Sequence, residues 1–475
     1  VLGALMATYV VVMVVAQCHK LAGLEMGFDL ALQEQILWNT VHGRWLATSA
    51  LGSTGVDLGR DLIGLDLLLA VPYGLLPDTR TLLVLQTLAI AAGVVPLYAL
   101  ARRRLGDAAA LGLTAAYLSY KPLHFLNLYE FQVRAFALAP LLGMFHFADT
   151  ERFRPFLWCL LLVLCTRSDM ALVVFMFGVY ALLSKRPRRF AVAACALGLS
   201  WFLFAVLLVV PRFNSVGQMQ YLEWYDNLGR TPWEAVVTIV TRPLDVLDTV
   251  LADEKLLLFG SVFGLLAFLP LLRPAVLLVG LPTLAMSVLS DRPILSSIRK
   301  QYPAALYPVA FAATIFAIEW LAGRPPLVRR RGLSRAALAA SVLACNVVAQ
   351  WVSPPTTWRL LTQWKRPDFA PALDRLVDRI PPDATVAASS TVAPLLARRE
   401  GLYLFPPVSE GFYSDQGLVR ADYVLYETPP QEDDPWQAVL ERDPWVLVGV
   451  GHYEPREYRY YYRLYRRRKG LRRTG

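Results

Sequence analysis

The sequence predicts an all-α polytopic membrane protein with about eleven transmembrane helices, followed by a small α/β extracytoplasmic domain at the C-terminal end. Three observations predict it. The 475 residues are 56% hydrophobic and only 18% charged, against about 25% charged in a typical soluble domain. The cations stand in short clusters between apolar runs of spanning length. Beyond residue 353 the pattern changes to short alternating strands and helices separated by Pro and Asp turns.

The spans come first. A spanning helix needs roughly 20 apolar residues, because it rises about 1.5 Å per residue through a core of about 30 Å. The runs 1–17, 81–101, 107–123, 132–148, 190–210, 255–272, 274–290, 303–322 and 335–352 fit. The first has no basic residues before it and reads as a spanning or signal-anchor helix. The stretch 155–184 is long for one span and short for two. Basic clusters flank both its ends, so it reads as a hairpin with the tip Thr166-Arg167-Ser168-Asp169 outside.

Arg102–Arg104, Arg152 with Arg154, Lys185–Arg189, Arg273 and Arg329–Arg331 then all face the cytoplasm. The N-terminus is inside and the C-terminal domain outside. The net charge of +10 is therefore a topology signal, and no nucleic-acid partner follows from it. Cys18, Cys159, Cys165, Cys195 and Cys345 lie in or beside apolar segments without CxxC spacing, which excludes a disulfide framework or a cysteine metal site.

Two regions lie outside the spans. The membrane domain, 1–353, carries a structured first outer loop, 18–80. In it Phe28–Trp38 reads as an amphipathic helix at the membrane interface, and 62–76 as a second surface helix too short to span. The C-terminal domain, 354–475, has predicted helices near 369–379, 390–398 and 436–442. Its predicted strands are Ala384–Ala388, Leu402–Phe405, Ala421–Tyr426 and Trp445–Val450, and 458–465 could continue a strand. It contains no Gly-rich phosphate loop and no nucleophile elbow. The Tyr- and Arg-dense tail 458–473 suits contact with anionic headgroups or an acidic polymer, or serves as a plain solubilising tail.

Several of these segments resemble a bacterial membrane-protein family, domain of unknown function 2079. They are Phe28-Asp29-Leu30 with Glu34-Gln35, Leu37-Trp38-Asn39-Thr40 and His42-Gly43; Leu83-Val84-Leu85-Gln86; and Pro96-Leu97-Tyr98 through Arg104-Leu105-Gly106. Arg167-Ser168-Asp169, Ile380-Pro381-Pro382-Asp383 and Ala421-Asp422-Tyr423-Val424 complete the set. That family in turn resembles the C-type (GT-C) glycosyltransferases. The resemblance implies a GT-C-like fold, a polyprenyl-phosphate-linked sugar as donor, and a retained first-loop carboxylate, which Asp29 matches. The chain departs from the family at Asp61, Gln132 and Gln301, where relatives tend to have histidine, and this weakens any metal assignment.

Transfer of a sugar from a lipid phosphate needs a base for the acceptor proton and positive charge for the departing phosphate. Asp29 is the base candidate, with capping of its own helix as the rival reading, and Glu34 is the second carboxylate. The phosphate and substrate candidates are Arg60, Arg134, Arg167, Arg299 and Lys300, with Asp61, Glu130, Asp169 and Tyr302 beside them. Glu130 and Arg134 have the spacing of a helical ion pair, and Arg167 with Asp169 could be solvated at the hairpin tip. A divalent cation, Mg2+ or Mn2+, would be an alternative countercharge, with no ligands assigned. Membrane lipids are the other expected partner. A transporter or flippase, and a non-catalytic scaffold, are the rival functions; no internal repeat favours the former.

Overall fold

The computed structural model describes residues 1–50, 55–59, 61–214, 224–229, 231–324, 334–352, 356–406, 418, 420–428, 439–441, 445–453 and 460–468. Arg60, Arg329–Arg331, most of the predicted helix 436–442 and the end of the tail lie outside them.

The chain is a bundle of apolar helices carrying a five-stranded sheet. The first eleven helices are α1 Leu2–Ala22, α2 Phe28–Val41, α3 Leu65–Leu75, α4 Thr79–Ala92, α5 Val94–Leu105, α6 Asp107–Leu118, α7 Lys121–Tyr129, α8 Leu138–Asp149, α9 Phe153–Leu164, α10 Met170–Leu183 and α11 Arg188–Phe204. Among the described residues, four helices can cross a membrane by length and composition: Leu2–Ala22, Thr79–Leu105, Arg188–Phe213 and Arg335–Val352. Six further apolar helices are shorter.

Some of the expected spans are broken rather than continuous helices. The run expected at 255–272 is an α-helix only over Asp253–Phe263. Two 3-10 turns follow, with Ala267 and Phe268 in left-handed conformation between them. The run expected from 132 opens with a 3-10 turn, Val133–Ala137, before α8. Broken helices survive at membrane depth when protein groups satisfy the freed backbone. Asn346 does so here, donating to the Leu265 carbonyl at 2.8 Å. Helix α3, eleven residues long, reaches about 16 Å at 1.5 Å per residue, too short to span.

Helices α10 and α11 pack backbone to backbone. A Cβ on Gly198 would lie 2.7 Å from the Ala171 carbonyl oxygen and the Phe175 nitrogen, and one on Gly178 2.7 Å from the Cys195 nitrogen. Small residues permit such close approach between membrane helices. Gly198→Ala is expected to cost about 1–3 kcal/mol through overpacking. The check is thermal unfolding in detergent, with Gly3→Ala as control, since a Cβ on Gly3 meets nothing within 4 Å. Equal unfolding temperatures in the two variants would contradict the close packing.

One end of the bundle gathers basic side chains. Arg103, Arg104 and Arg186 converge on the buried carboxylate of Asp149, and Arg104 also reaches Glu319 at 2.9 Å. Two of the clusters that the sequence places together, 102–104 and 185–189, are thus joined through one carboxylate, whose side chain is fully buried.

The sheet has the order β2-β1-β3-β5-β4. Its strands are β1 Val386–Ala388, β2 Leu402–Leu404, β3 Tyr423–Thr428, β4 Trp445–Tyr453 and β5 Tyr460–Arg467. Strand β1 runs parallel to both β2 and β3, whereas β3, β5 and β4 pair antiparallel. The expected strands form, and 460–467 adds a fifth. The helix expected over 390–398 is a single 3-10 turn, Ala393–Leu396, with Pro394 inside it; proline removes a donor that a longer helix would need.

Helix α2 departs most from expectation. It does not lie at an interface with one wet face. Phe28, Ala31, Leu32 and Ile36 pack with Leu373, Leu376, Val386 and Leu464 of the C-terminal unit. On its other side Leu30 and Leu37 pack with Leu65, Leu69 and Leu82. Its polar residues are buried because each finds a partner. Gln33 donates to Asp66 at 2.6 Å, Gln35 to the Glu400 carbonyl at 2.9 Å, and Asn39 to the Ala47 carbonyl at 3.0 Å.

Candidate active site

The segment 127–132 is fixed first, by a buried polar network. Gln17 and Gln86 both donate to the Asn127 carbonyl, at 2.6 and 3.0 Å, and Thr87 donates to Gln17 Oε1 at 2.8 Å. Gln86 also donates to the Glu130 carbonyl at 2.8 Å and accepts from the Gln132 amide. Unpaired amides inside an apolar bundle are costly, so such networks form fully or not at all. Gln86 gives physical content to the Leu83–Gln86 motif: it holds the strip that carries Tyr129, Glu130 and Gln132.

Asp29 stands against that strip. It is half-buried in the first turn of α2, and its Oδ2 accepts from Gln132 Nε2 at 3.2 Å. Tyr129 and Glu130 are its neighbours. Asp29 makes no capping bond; the cap position is Gly27, so the rival capping reading fails. A small polar pocket of about 30 Å³ opens at Asp29, and Gln33, Gln132, Arg167 and Gln301 line it.

Glu130 and Arg134 do not form the expected helical pair. Helix α7 ends at Tyr129, and the chain is extended at Glu130 and Gln132 before the 3-10 turn. Glu130 accepts from the Leu30 amide at 3.0 Å instead. Burial, then the negative charge of Asp29, raises its carboxyl to about 7. Arg134, 2% exposed, pairs with Asp169 at 2.6 Å. Arg167 bridges Asp169 at 3.0 Å and Asp61 at 2.8 Å, and the Ser168 amide donates to Asp61 at 3.0 Å. The hairpin tip is therefore a buried chain of four alternating charges, not a solvated loop. The reason is the company of Asp61: burying a charge is tolerable when it is paired. Burial raises the Asp169 carboxyl, but Arg134 and Arg167 outweigh it and hold the group below the usual carboxylate range. The Tyr302 ring covers Arg134, 5.5 Å from its guanidinium carbon.

Glu34 faces away from this corner. It is fully buried and accepts from Thr79 at 2.7 Å and Tyr73 at 3.2 Å, with Arg398 of the C-terminal unit 3.5 Å away. It therefore ties α2, α3 and α4 to the C-terminal unit. Burial raises its carboxyl to about 7, although Thr79, Arg398 and Tyr73 lower it. A carboxyl raised on folding stabilises most below its unfolded value, near 4.5, and that contribution is lost as pH rises through 7. Glu34→Gln is expected to flatten the fall in unfolding temperature between pH 5 and 8. A Glu34→Gln slope as steep as wild type would remove Glu34 as a cause.

Arg299 and Lys300 stand at a second, larger cavity of about 760 Å³. Its walls are mostly apolar, from Phe125, Leu257, Leu258, Leu265, Ile294 and Val352, and Lys121, Glu254, Arg299 and Lys300 line it as well. Lys300 Nζ lies 3.9 Å from the centre of the Tyr129 ring. Lys255, fully buried, donates to Ser296 Oγ at 2.5 Å on the wall of the same cavity. Sequence reading missed Lys121 and Lys255. A lysine opening an apolar run was the available signal for Lys255. Consecutive residues of one segment line the two cavities, Arg299 and Lys300 the large one and Gln301 the small one.

The site thus unites Asp29, Arg167 and the 299–301 segment, and places Asp61, Glu130, Arg134, Asp169 and Tyr302 behind them. Among the described residues no three His, Cys, Asp or Glu side chains converge on a point that would hold a metal.

The helical bundle with its C-terminal sheet has the fold of GT-C glycosyltransferases of known structure. The crystal structure of ArnT from Cupriavidus metallidurans bound to undecaprenyl phosphate superposes with a TM-score of 0.57 at 13% identity, covering 97% of both chains. The oligosaccharyltransferase of Archaeoglobus fulgidus tethered with an acceptor peptide gives 0.48 at 12% identity, over 90% of this chain and 69% of its own. The chain belongs to the family described as Predicted membrane protein (DUF2079), whose model matches residues 20–458. No curated protein matches the sequence.

Proposed function

We propose that the protein is a membrane glycosyltransferase that moves a sugar from a polyprenyl-phosphate carrier to an acceptor hydroxyl. It would act on the outer face of the bacterial plasma membrane, with the N-terminus cytoplasmic and the sheet extracytoplasmic. The observation that carries this reading is an adjacency: consecutive residues of one segment, 299–301, line an apolar cavity with cations and the pocket of Asp29. A lipid carrier needs that pairing. Its first isoprene units fill the apolar walls, and Arg299 and Lys300, with Lys121, hold its phosphate. Asp29 takes the acceptor proton as the acceptor oxygen bonds to the anomeric carbon. The bond from that carbon to the phosphate oxygen breaks, and the electron pair leaves on the phosphate, where the cations stabilise it.

The fold of ArnT supports the reading, as does its bound undecaprenyl phosphate. The test uses the purified full chain in detergent with labelled polyprenyl-phosphate sugars and a panel of acceptors, water included. Transfer or hydrolysis above the enzyme-free rate is expected. Absence of both across neutral, amino and acidic sugars would overturn the proposal.

A further inference from the structure

We infer that Ser390, on the loop leaving the carboxyl end of β1, is a positioning residue for Asp29. The C-terminal sheet holds the first turn of α2 and so sets where the Asp29 carboxylate stands. The inference rests on the transferase reading of that carboxylate.

The topology places the loop. From β1 the chain goes to β2 on one side and then to β3 on the other, all three parallel. The carboxyl end of β1 is therefore a switch point, where the following connections part and leave a crevice. The first turn of α2 stands at that crevice. Ser390 Oγ accepts from the Phe28 amide at 3.2 Å. Glu130 accepts from the Leu30 amide at 3.0 Å. Helix α2 brings no side-chain cap of its own, and the first amides of a helix need outside acceptors. Here the sheet supplies one acceptor and the end of α7 another, and the two bonded amides flank Asp29 in sequence.

Both supports crowd Gly27. A Cβ there would lie 2.9 Å from Glu130 Oε1 and 3.1 Å from Ser390 Oγ. The loop itself is anchored to the sheet. The Ser389 amide donates to the Leu425 carbonyl at 3.2 Å, and the Glu427 amide to Ser389 Oγ at 2.9 Å. A path of hydrogen bonds thus runs from β3 through Ser389 and Ser390 to the turn that carries Asp29. The docking of α2 on the sheet rests separately on Phe28, Ala31, Leu32 and Ile36. Removing one hydroxyl therefore frays the first turn without undocking the helix.

The test compares Ser390→Ala and Ser390→Thr in the full-length protein. Hydrogen exchange is followed at the amides of 28–31, with kcat and KM for a labelled carrier that the wild type uses. Ser390→Ala is expected to speed exchange there and to lower kcat about ten- to a hundredfold, with donor KM and unfolding temperature unchanged. Ser390→Thr keeps a hydroxyl and is expected to restore both readouts. Wild-type kcat in Ser390→Ala would overturn the inference whatever the exchange shows, and so would a fall that Ser390→Thr does not rescue. If the wild type transfers no sugar, the transferase reading fails and the positioning role falls with it. Exchange at 28–31 then still shows separately whether Ser390 holds α2.

Discussion

Asp29→Asn is expected to lower kcat for sugar transfer by about 10²- to 10⁴-fold, the usual contribution of a general base. The substitution is nearly isosteric. The asparagine oxygen can still accept from Gln132, and the first turn of α2 keeps its acceptors on Glu130 and Ser390. What is lost is the negative charge and, with it, the capacity to take a proton. The donor KM should hold, because the cations proposed for the phosphate line a different cavity. The check is initial rates with a labelled carrier, beside an unfolding curve showing the variant intact. A variant that turns over at the wild-type rate would take Asp29 out of the mechanism and leave the cation-lined cavity as the surviving part of the site.

Asp169→Ala is expected to destabilise the protein by about 3–5 kcal/mol, the cost of leaving a buried charge without its partner. Asp169 is the carboxylate shared by Arg134 and Arg167. Arg134 has nowhere to turn: it is 2% exposed, and among the described residues its Nε and Nη1 have no hydrogen-bond partner. Loss of Asp169 leaves two guanidinium groups close together, with Asp61 opposite Arg167. The readout is unfolding temperature and yield in detergent. Replacing both members of the tight pair, Arg134→Met with Asp169→Leu, should recover much of the loss, because buried ion pairs exchange for apolar groups at little cost. An unchanged unfolding temperature in Asp169→Ala would show that the pair is solvated after all.

Membrane character, the family and the position of Asp29 were legible in the sequence because each is written locally. A run of apolar residues, a cluster of arginines and a short motif need no distant partner to be read. Asp29 was found by its motif, and Arg299-Lys300 by standing next to a span.

Local patterns misled where the deciding contact was far away in sequence. The polar side of Phe28–Trp38 looks wet, yet Gln35 bonds the carbonyl of Glu400, more than 360 residues later. Arg134 stands four residues after Glu130, yet pairs with Asp169. Arg167 and Asp169 look like a solvated tip until Asp61 is brought against them from the first outer loop. Glu34 reads as a second candidate carboxylate, and Tyr73, Thr79 and Arg398 make it an internal tie.

By itself, then, the sequence determined the solvent of this chain, because transfer of apolar side chains into lipid depends on composition and run length alone. It also marked one carboxylate. Only the tertiary structure decided which charges neutralise one another and which are left to face a cavity. Electrostatic pairing in a low-dielectric interior depends on a few ångströms of separation between groups far apart along the chain, and only the folded chain sets that separation.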